Sequence, residues 1–417
     1  MIAWRIVCSA MLACLGISAC ADALAGSTSS YTYSAGNYPG SRDRHYKVYV
    51  PSGLPNPAPM VMALHGCDQT HDDVLDDWGL KAAADRYGFL LVAPFITSYD
   101  GIRNVNCWGF WLDEQRHEGA GEVEDLHRIA QQVEKRFSVD PKRRFITGLS
   151  SGGAMTVAEA IAYNEYWAAA ASAAGEPYGE DAASVSPLPV CPGGATFHTV
   201  AQVAKDMRSE LNSTYAIPLL ILQNNKDCVV VPPAGRNLRD AHLKVFGDAA
   251  HDTPSEARAG EHSCAPVYEA GDDCVQTIYT GDGSGRSLVE TVFYDGPQAT
   301  PNPDDQDLGH YWIGGEAGRE GRYAMRRGPS YPDLVWDFFA RHTRTSLPVS
   351  APCATLSDSP AAHVDAGRAD RGGTFKTRAL AIGDNVDIGF AWDAWSTIEL
   401  YRGPSGAWYA RKPAGCS

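Results

Sequence analysis

Phe145-Ile146-Thr147-Gly148-Leu149-Ser150-Ser151-Gly152-Gly153-Ala154 is the stretch on which the fold turns. A short apolar run ends in Gly-x-Ser-x-Gly, and a run of small, helix-compatible residues follows from Gly153 to Ala162. That is the strand–turn–helix setting in which a serine is carried on a strained turn with its hydroxyl above the sheet edge. Gly148 and Gly152 lack the Cβ that would crowd a tight turn and a close helix–strand approach. The segment therefore predicts a nucleophile at Ser150.

Working outward, His45-Tyr46-Lys47-Val48-Tyr49-Val50 alternates like a strand with one wet face, and Pro51 ends it. Met60 to Leu64 is continuously apolar, as a strand buried on both faces should be. A helix is expected near Gly79 to Tyr87, then a strand over Phe89 to Ala93. Glu122 to Phe137 places Val123, Leu126, Ile129, Ala130 and Val133 at helical spacing. Ala168 to Ala171 and Leu219 to Leu222 read as further short buried strands. Strands alternating with helices predict an α/β fold, a mostly parallel sheet covered on both faces. Ser27 to Gly40 reads as a leader into the first strand, and Asp248–Glu261 and Gly296–Asp307 read as loops. A boundary falls near Leu347 to Pro352. Beyond it residues 353–417 read as a small all-β module, and residues 26–346 as the catalytic domain. The module's Trp392, Trp395, Tyr401, Trp408 and Tyr409 suit either core packing or a platform for a polymer.

The chain has 417 residues, 44% of them apolar, with 41 Gly and 26 Pro, which describes a globular, loop-rich protein rather than a fibrous or disordered one. A formal net charge of −15 and the lack of any Lys/Arg block argue against nucleic acid as a partner. Residues 1–25 read as a secretory signal: Arg5, the apolar run Ile6 to Ile17, then small residues, too short to span a bilayer. Two processing routes compete. Ile17-Ser18-Ala19-Cys20 is similar to a lipobox, which would lipidate Cys20 and tether the chain to a membrane; cleavage after Ala23 or Ala25 would release a soluble product. An extracellular or cell-envelope location and a monomer are expected. Of eleven cysteines, Cys8, Cys14 and Cys20 belong to this leader, leaving Cys67, Cys107, Cys191, Cys228, Cys264, Cys274, Cys353 and Cys416. An even number in an exported chain suggests disulfides, and neighbours in sequence are the expected pairs: 67–107, 191–228, 264–274 and 353–416.

A serine hydroxyl needs a base, and the base needs an orienting acid. Asp227 is the candidate acid because it follows the apolar strand at 218–222 by a few residues; Asp240 and Asp295 are weaker because neither is preceded by such a strand. His310, set between Gly309 and Gly314-Gly315, is the candidate base. His342, between Arg341 and Arg344 at a helix end, is expected to be solvated. The oxyanion donors are expected from the backbone N–H of Ser151, after the nucleophile, and of Cys67, in the loop after Leu64. A Cys67–Cys107 bridge would stiffen that loop. Trp108, Trp111 and Trp312 are the aromatic candidates for lining a substrate groove, with core burial as the alternative for Trp108 and Trp111. His117-Glu118-Gly119-Ala120-Gly121 lacks the second histidine of a zinc protease helix, and Asp304, Asp305 and Asp307 suit a solvated acidic loop better than calcium; no metal or cofactor is expected.

His65-Gly66-Cys67, Cys107-Trp108, Gly119-Ala120-Gly121-Glu122, Val139-Asp140-Pro141-Lys142-Arg143, Gly148 to Met155 and Gly309-His310-Tyr311-Trp312 occur in this order. Together, over roughly residues 40 to 345, they resemble the bacterial polyhydroxybutyrate depolymerase-like esterases, a family that includes feruloyl and acetylxylan esterases. The resemblance implies an α/β-hydrolase fold without metal, with Ser150, Asp227 and His310 as triad and Cys67 and Ser151 as oxyanion donors. It also places the family's bridge near the site on Cys67 and Cys107. Two departures stand out: Gln223-Asn224 occupies the place of the family's His-Gly before the acid, and Ile313 that of a small residue after the Trp. The expected function is an exported serine esterase acting on a polymeric or oligomeric polyester such as poly(3-hydroxybutyrate). A feruloyl or acetylxylan esterase is the alternative, and a non-catalytic surface lipoprotein a minor one.

Overall fold

The computed structural model describes residues 26–96, 106–185, 191, 193–247, 253–264, 274–280, 286–296, 308–321, 323–345, 354–402 and 408–412. The expected signal, with Cys20, lies outside them.

Ten strands form one sheet: β1 (Ser27–Tyr33), β2 (Arg44–Val50), β3 (Ala58–Leu64), β4 (Leu90–Phe95), β5 (Val139–Leu149), β6 (Ala169–Ala173), β7 (Leu219–Asn224), β8 (Arg258–Ser263), β9 (Cys274–Thr280) and β10 (Ser287–Tyr294). Their order is β1-β2-β4-β3-β5-β6-β7-β10-β9-β8. The centre, from β4 to β10, is parallel, and antiparallel strands flank it on both sides. Ser27–Tyr33, expected as a leader, is thus an edge strand paired with β2. Its serines carry little strand preference of their own, and pairing supplies the conformation. β8 begins inside a segment expected to be a loop, and it closes the opposite edge.

Alternation along the central strands sorts their side chains onto two cores. Met60, Met62, Leu64, Ile146, Leu219 and Ile221 face α3 (Gly121–Arg136), α4 (Ser151–Ala162), α5 (Val200–Glu210) and α6 (Pro233–Phe246). Val61, Ala63, Phe145, Leu149, Leu220 and Leu222 face α1 (His71–Asp76), α2 (Leu80–Tyr87) and a later helix over Tyr331–Arg341. This is the α/β-hydrolase fold, and it aligns the carboxyl ends of β3, β5, β6 and β7 along one edge. Among the described residues, no helix is long and apolar enough to cross a membrane.

The C-terminal segment forms two small three-stranded sheets and one six-residue helix, Pro360–Asp365, a helix absent from the all-β expectation. Its core is small: Ala369, Ala379, Ala381, Ile388, Ala391 and Leu400. Its aromatics divide between the two expected roles. Tyr409 is buried, whereas Trp392 and Trp395 are 54% and 86% exposed.

Candidate active site

β5 delivers Ser150 at its carboxyl end. The residue has φ 58° and ψ −124°, a conformation that costs a non-glycine residue about 1–3 kcal/mol. Packing on both sides fixes it. Ser150 N–H donates to the Ala173 carbonyl at 2.9 Å. A Cβ on Gly152 would fall 2.2 Å from the Leu64 carbonyl oxygen, and one on Gly148 would fall 2.4 Å from the Gly152 oxygen. The glycines on either side of the serine are therefore required by backbone approaching backbone. α4 starts at once, so its N-terminal dipole points at the turn.

The loop after β3 lies against this turn: a Cβ on Gly66 would sit 3.2 Å from Ser150 Cβ. The loop is tightened by Gly66 N–H donating to Gln69 Oε1 at 2.9 Å, and Asp68 takes a left-handed φ of 61°. The Cys67–Cys107 disulfide ties it to the segment carrying Trp108, whose N–H donates to Ser151 Oγ at 3.4 Å. The N–H of Cys67 donates no hydrogen bond among the described residues, and that of Ser151, first in its helix, has no intrahelical acceptor. Both N–H groups therefore lie beside Ser150 with no acceptor of their own among the described residues. His65 is a brace here. Its Nδ1–H donates to the Gly66 carbonyl (2.7 Å), its Nε2 accepts from Ile96 N–H (3.2 Å), and burial pushes its pKa down to about 4, so it stays neutral.

The loop after β7 and the loop before the short strand Trp312–Ile313 supply the other half. Asp227 Oδ2 accepts from His310 Nδ1–H at 2.8 Å, across a sequence separation of 83, and both side chains are buried. Burial pushes the Asp227 carboxyl up, while His310 and the N–H groups of Val229 (2.8 Å) and Val230 (3.0 Å) pull it down. With Nδ1 carrying the proton, His310 Nε2 is left with a lone pair. The Tyr323 ring lies nearly perpendicular to this imidazole with centroids 6.0 Å apart, and its hydroxyl donates to Asp68 Oδ2 in the loop after β3 at 3.5 Å. No hydrogen bond joins Ser150 Oγ to His310 in this structure; in hydrolases that link often tightens only around substrate.

Residues 44–265 match the family described as Esterase PHB depolymerase. The chain belongs to that family. Among its relatives, the poly(3-hydroxyalkanoate) depolymerase C of Paucimonas lemoignei is 35% identical over 130 residues, 31% of each chain. The poly(3-hydroxybutyrate) depolymerase of Ralstonia pickettii is 23% identical over 352 residues, 81% of this chain and 66% of that one. The feruloyl esterase B of Neurospora crassa is 32% identical over 170 residues, 40% of this chain and 56% of that one. The chain thus spans 31% to 66% of the length of these relatives. The solved acetyl xylan esterase from Aspergillus awamori superposes with a TM-score of 0.53 at 18% identity, over 75% of this chain and 99% of that one, a likeness of fold.

Within this family member, the residues that hold the acid and histidine loops together were not legible as functional. Asn224 Nδ2 donates to the Gly309 carbonyl and Tyr311 Oη, both at 3.0 Å, and its Oδ1 accepts from Lys226 N–H (3.0 Å) and Gly296 N–H (2.9 Å). Cys228 N–H adds a bond to the Leu308 carbonyl at 2.8 Å. Gly309 takes φ 74°, and a Cβ there would meet the Lys226 oxygen at 2.6 Å. The available signal was Gln223-Asn224 closing an otherwise apolar strand, since amides buried there must find partners.

Two of the aromatic candidates, Trp312 and Trp108, are packed inside the protein rather than exposed along a groove. Trp312 is fully buried, stacked on Trp78 at 4.3 Å, and anchors the histidine loop; Trp108 is fully buried with Nε1–H on the His65 carbonyl. An indole with a reachable carbonyl gains more from burial than from solvent. Trp111 is half-buried, edge-on to Phe110. His342, expected in solvent, is buried because the helix it ends packs against the central sheet and its ring meets Ser287 at the start of β10. Asp295 does follow a strand, β10, but it accepts from Asn225 (2.8 Å), and Asp240 lies beside Arg239 (2.7 Å). The bridges 67–107, 191–228 and 264–274 are present; Cys353, Cys416 and the 304–307 acidic loop lie outside the described residues.

Proposed function

We propose that the chain is an exported serine esterase that hydrolyses carboxylic esters through an acyl-enzyme. The observation that carries this is the buried Asp227–His310 pair, at the same sheet edge as the strained Ser150 and the undonated Cys67 N–H. His310 Nε2 takes the Ser150 proton as Oγ bonds to the ester carbon, and the N–H groups of Cys67 and Ser151 hold the oxyanion. Collapse breaks the bond to the alcohol, which leaves with the proton from His310. Water then attacks the acyl-serine as His310 takes its proton, and collapse breaks the acyl bond to Ser150 Oγ, which recovers the proton from His310 as the acid departs. Asp227 orients the imidazole and balances its transient charge.

The substrate favoured is an aliphatic polyester of the poly(3-hydroxybutyrate) type or its oligomers, in keeping with the names of two of the relatives. The feruloyl and acetylxylan esterases among them support a carbohydrate-ester reading second. Residues 26–346 would be the catalytic unit and 353–417 an appended module of a monomer. Three disulfides suit an oxidising, extracellular or envelope compartment, with lipidation of Cys20 as the route to an anchored form. Ser150→Ala should lower turnover of a 4-nitrophenyl short-chain ester by several orders of magnitude and abolish labelling by a fluorophosphonate probe. Activity retained in that variant would remove the mechanism. Clearing of a polyester suspension, set against ferulate release from methyl ferulate, separates the two substrate classes.

A further inference from the structure

β6 lies between β5, which carries Ser150, and β7, which leads to Asp227. The chain leaving β6 is bonded to both neighbours: the Ala173 carbonyl accepts from Ser150 N–H at 2.9 Å, and Ala174 N–H donates to the Leu222 carbonyl at 2.8 Å. Ala174 then takes a φ of 42°, a left-handed value that a residue with a Cβ adopts only under constraint. Gly175 is pressed onto the first turn of α4, where a Cβ would fall 2.6 Å from the Gly153 carbonyl carbon and 2.9 Å from Ala154 N. The next residue is Glu176. It is 1% exposed, and neither of its carboxyl oxygens has a hydrogen-bond partner among the described residues. The Ser184 hydroxyl is near enough to pull the carboxyl's pKa down somewhat, but no hydrogen bond joins the two, and its one proton is given to the Asp181 carbonyl at 2.9 Å.

A carboxyl group buried without a partner is costly, because it has given up water and gained nothing in return. Here strained backbone places one at the carboxyl end of the sheet, between the nucleophile and the acid. Burial first, and the nearby Glu180 and Asp227 carboxylates second, push its pKa well above the usual range, so it carries a proton to donate. Glu180 is occupied otherwise, accepting from His198 N–H at 3.1 Å and lying 3.1 Å from His198 Nδ1.

We propose that Glu176 is a specificity residue whose carboxyl hydrogen-bonds an oxygen of the ester substrate outside the scissile bond. This rests on the serine-esterase reading and deepens it. A site with such a donor favours hydroxyacyl esters over plain alkyl esters, because only the former satisfy it.

The test compares the linear dimer of 3-hydroxybutyrate, with oxygens on both sides of its ester, with ethyl butyrate, which has neither. Glu176→Met, similar in shape, should keep or raise Tm, because it removes an unsatisfied buried group. It should lower kcat/KM for the dimer about 10- to 100-fold and leave ethyl butyrate within about threefold. Glu176→Gln, which can still donate, should restore most of the dimer activity. Equal changes on both esters in both variants, or no change on either, would overturn the assignment and make Glu176 a structural acid. Wild-type protein inert to both esters would instead sink the hydrolase reading, and this proposal with it.

Discussion

The two halves of the candidate site are held in place by different forces. The nucleophile half is backbone against backbone: Gly148, Gly152 and the carbonyls of Leu64 and His65 leave no room for a single added carbon. The acid–histidine half is assembled from loops 83 residues apart and is held by polar side chains, chiefly Asn224 and the Asp227–His310 bond. The first is rigid because steric repulsion is steep. The second is specific because each buried donor must find its acceptor, and it can be loosened one bond at a time.

That contrast can be broken most severely at Gly152. Gly152→Ala forces a Cβ to within 2.2 Å of a backbone oxygen that cannot rotate away. We expect a loss of about 3 kcal/mol or more, seen as a collapse of Tm with no soluble active fraction. A normal Tm would mean that the elbow yields and the steric account is wrong. Asn224→Ala should act differently, leaving the fold standing but freeing Gly309, Tyr311 and Lys226. We expect kcat to drop about 10- to 100-fold with KM less affected, because displacement of the base by about 1 Å is enough. An unchanged kcat would mean that Asp227 and Cys228 N–H suffice to hold the loop.

The smallest effect is expected outside both halves. His117 lies 2.8 Å from Glu210 and 3.1 Å from Asp113. Burial alone would lower its pKa, but the two carboxylates outweigh this and raise it to about 10. A folded-state pKa above the unfolded value near 6.5 means that the stabilisation is complete below about pH 6.5 and is lost as pH climbs through about 10. His117→Gln should therefore cost on the order of 1–2 kcal/mol at neutral pH, and the gap to wild type should close on the alkaline side. A gap that widens towards pH 10 would reverse the sign of the linkage. Activity per folded molecule should not change.

The parts legible from the sequence share a physical character. β3, the last five residues of β5 and the first four of β7 are largely apolar runs with few alternatives to burial, and α3 has a helical stripe that needs no knowledge of its partner. β1 and β8 were not legible, because serine-rich or polar strands owe their conformation to the neighbour they pair with. Trp108 and Trp111 were left open between lining and core, because an aromatic beside a site motif is compatible with either. Only the location of an acceptor, such as the His65 or Trp78 carbonyl, decides between them. Asp295 was set aside for want of a preceding strand. It has one, and what excludes it is that His310 is bonded to Asp227 instead.

By itself the amino-acid order determined the turn at Ser150 and the parallel core around it, because steric limits and apolar periodicity act over a few residues. It also pointed to the three bridges that are present, since loop-linked cysteines meet most readily near in sequence. Which acid faces the imidazole, what Asn224 clasps and that the Glu176 carboxyl is buried without a hydrogen-bond partner were settled only in three dimensions. Hydrogen-bond partners and burial depend on what distant segments bring to the same edge, and no local pattern encodes that meeting.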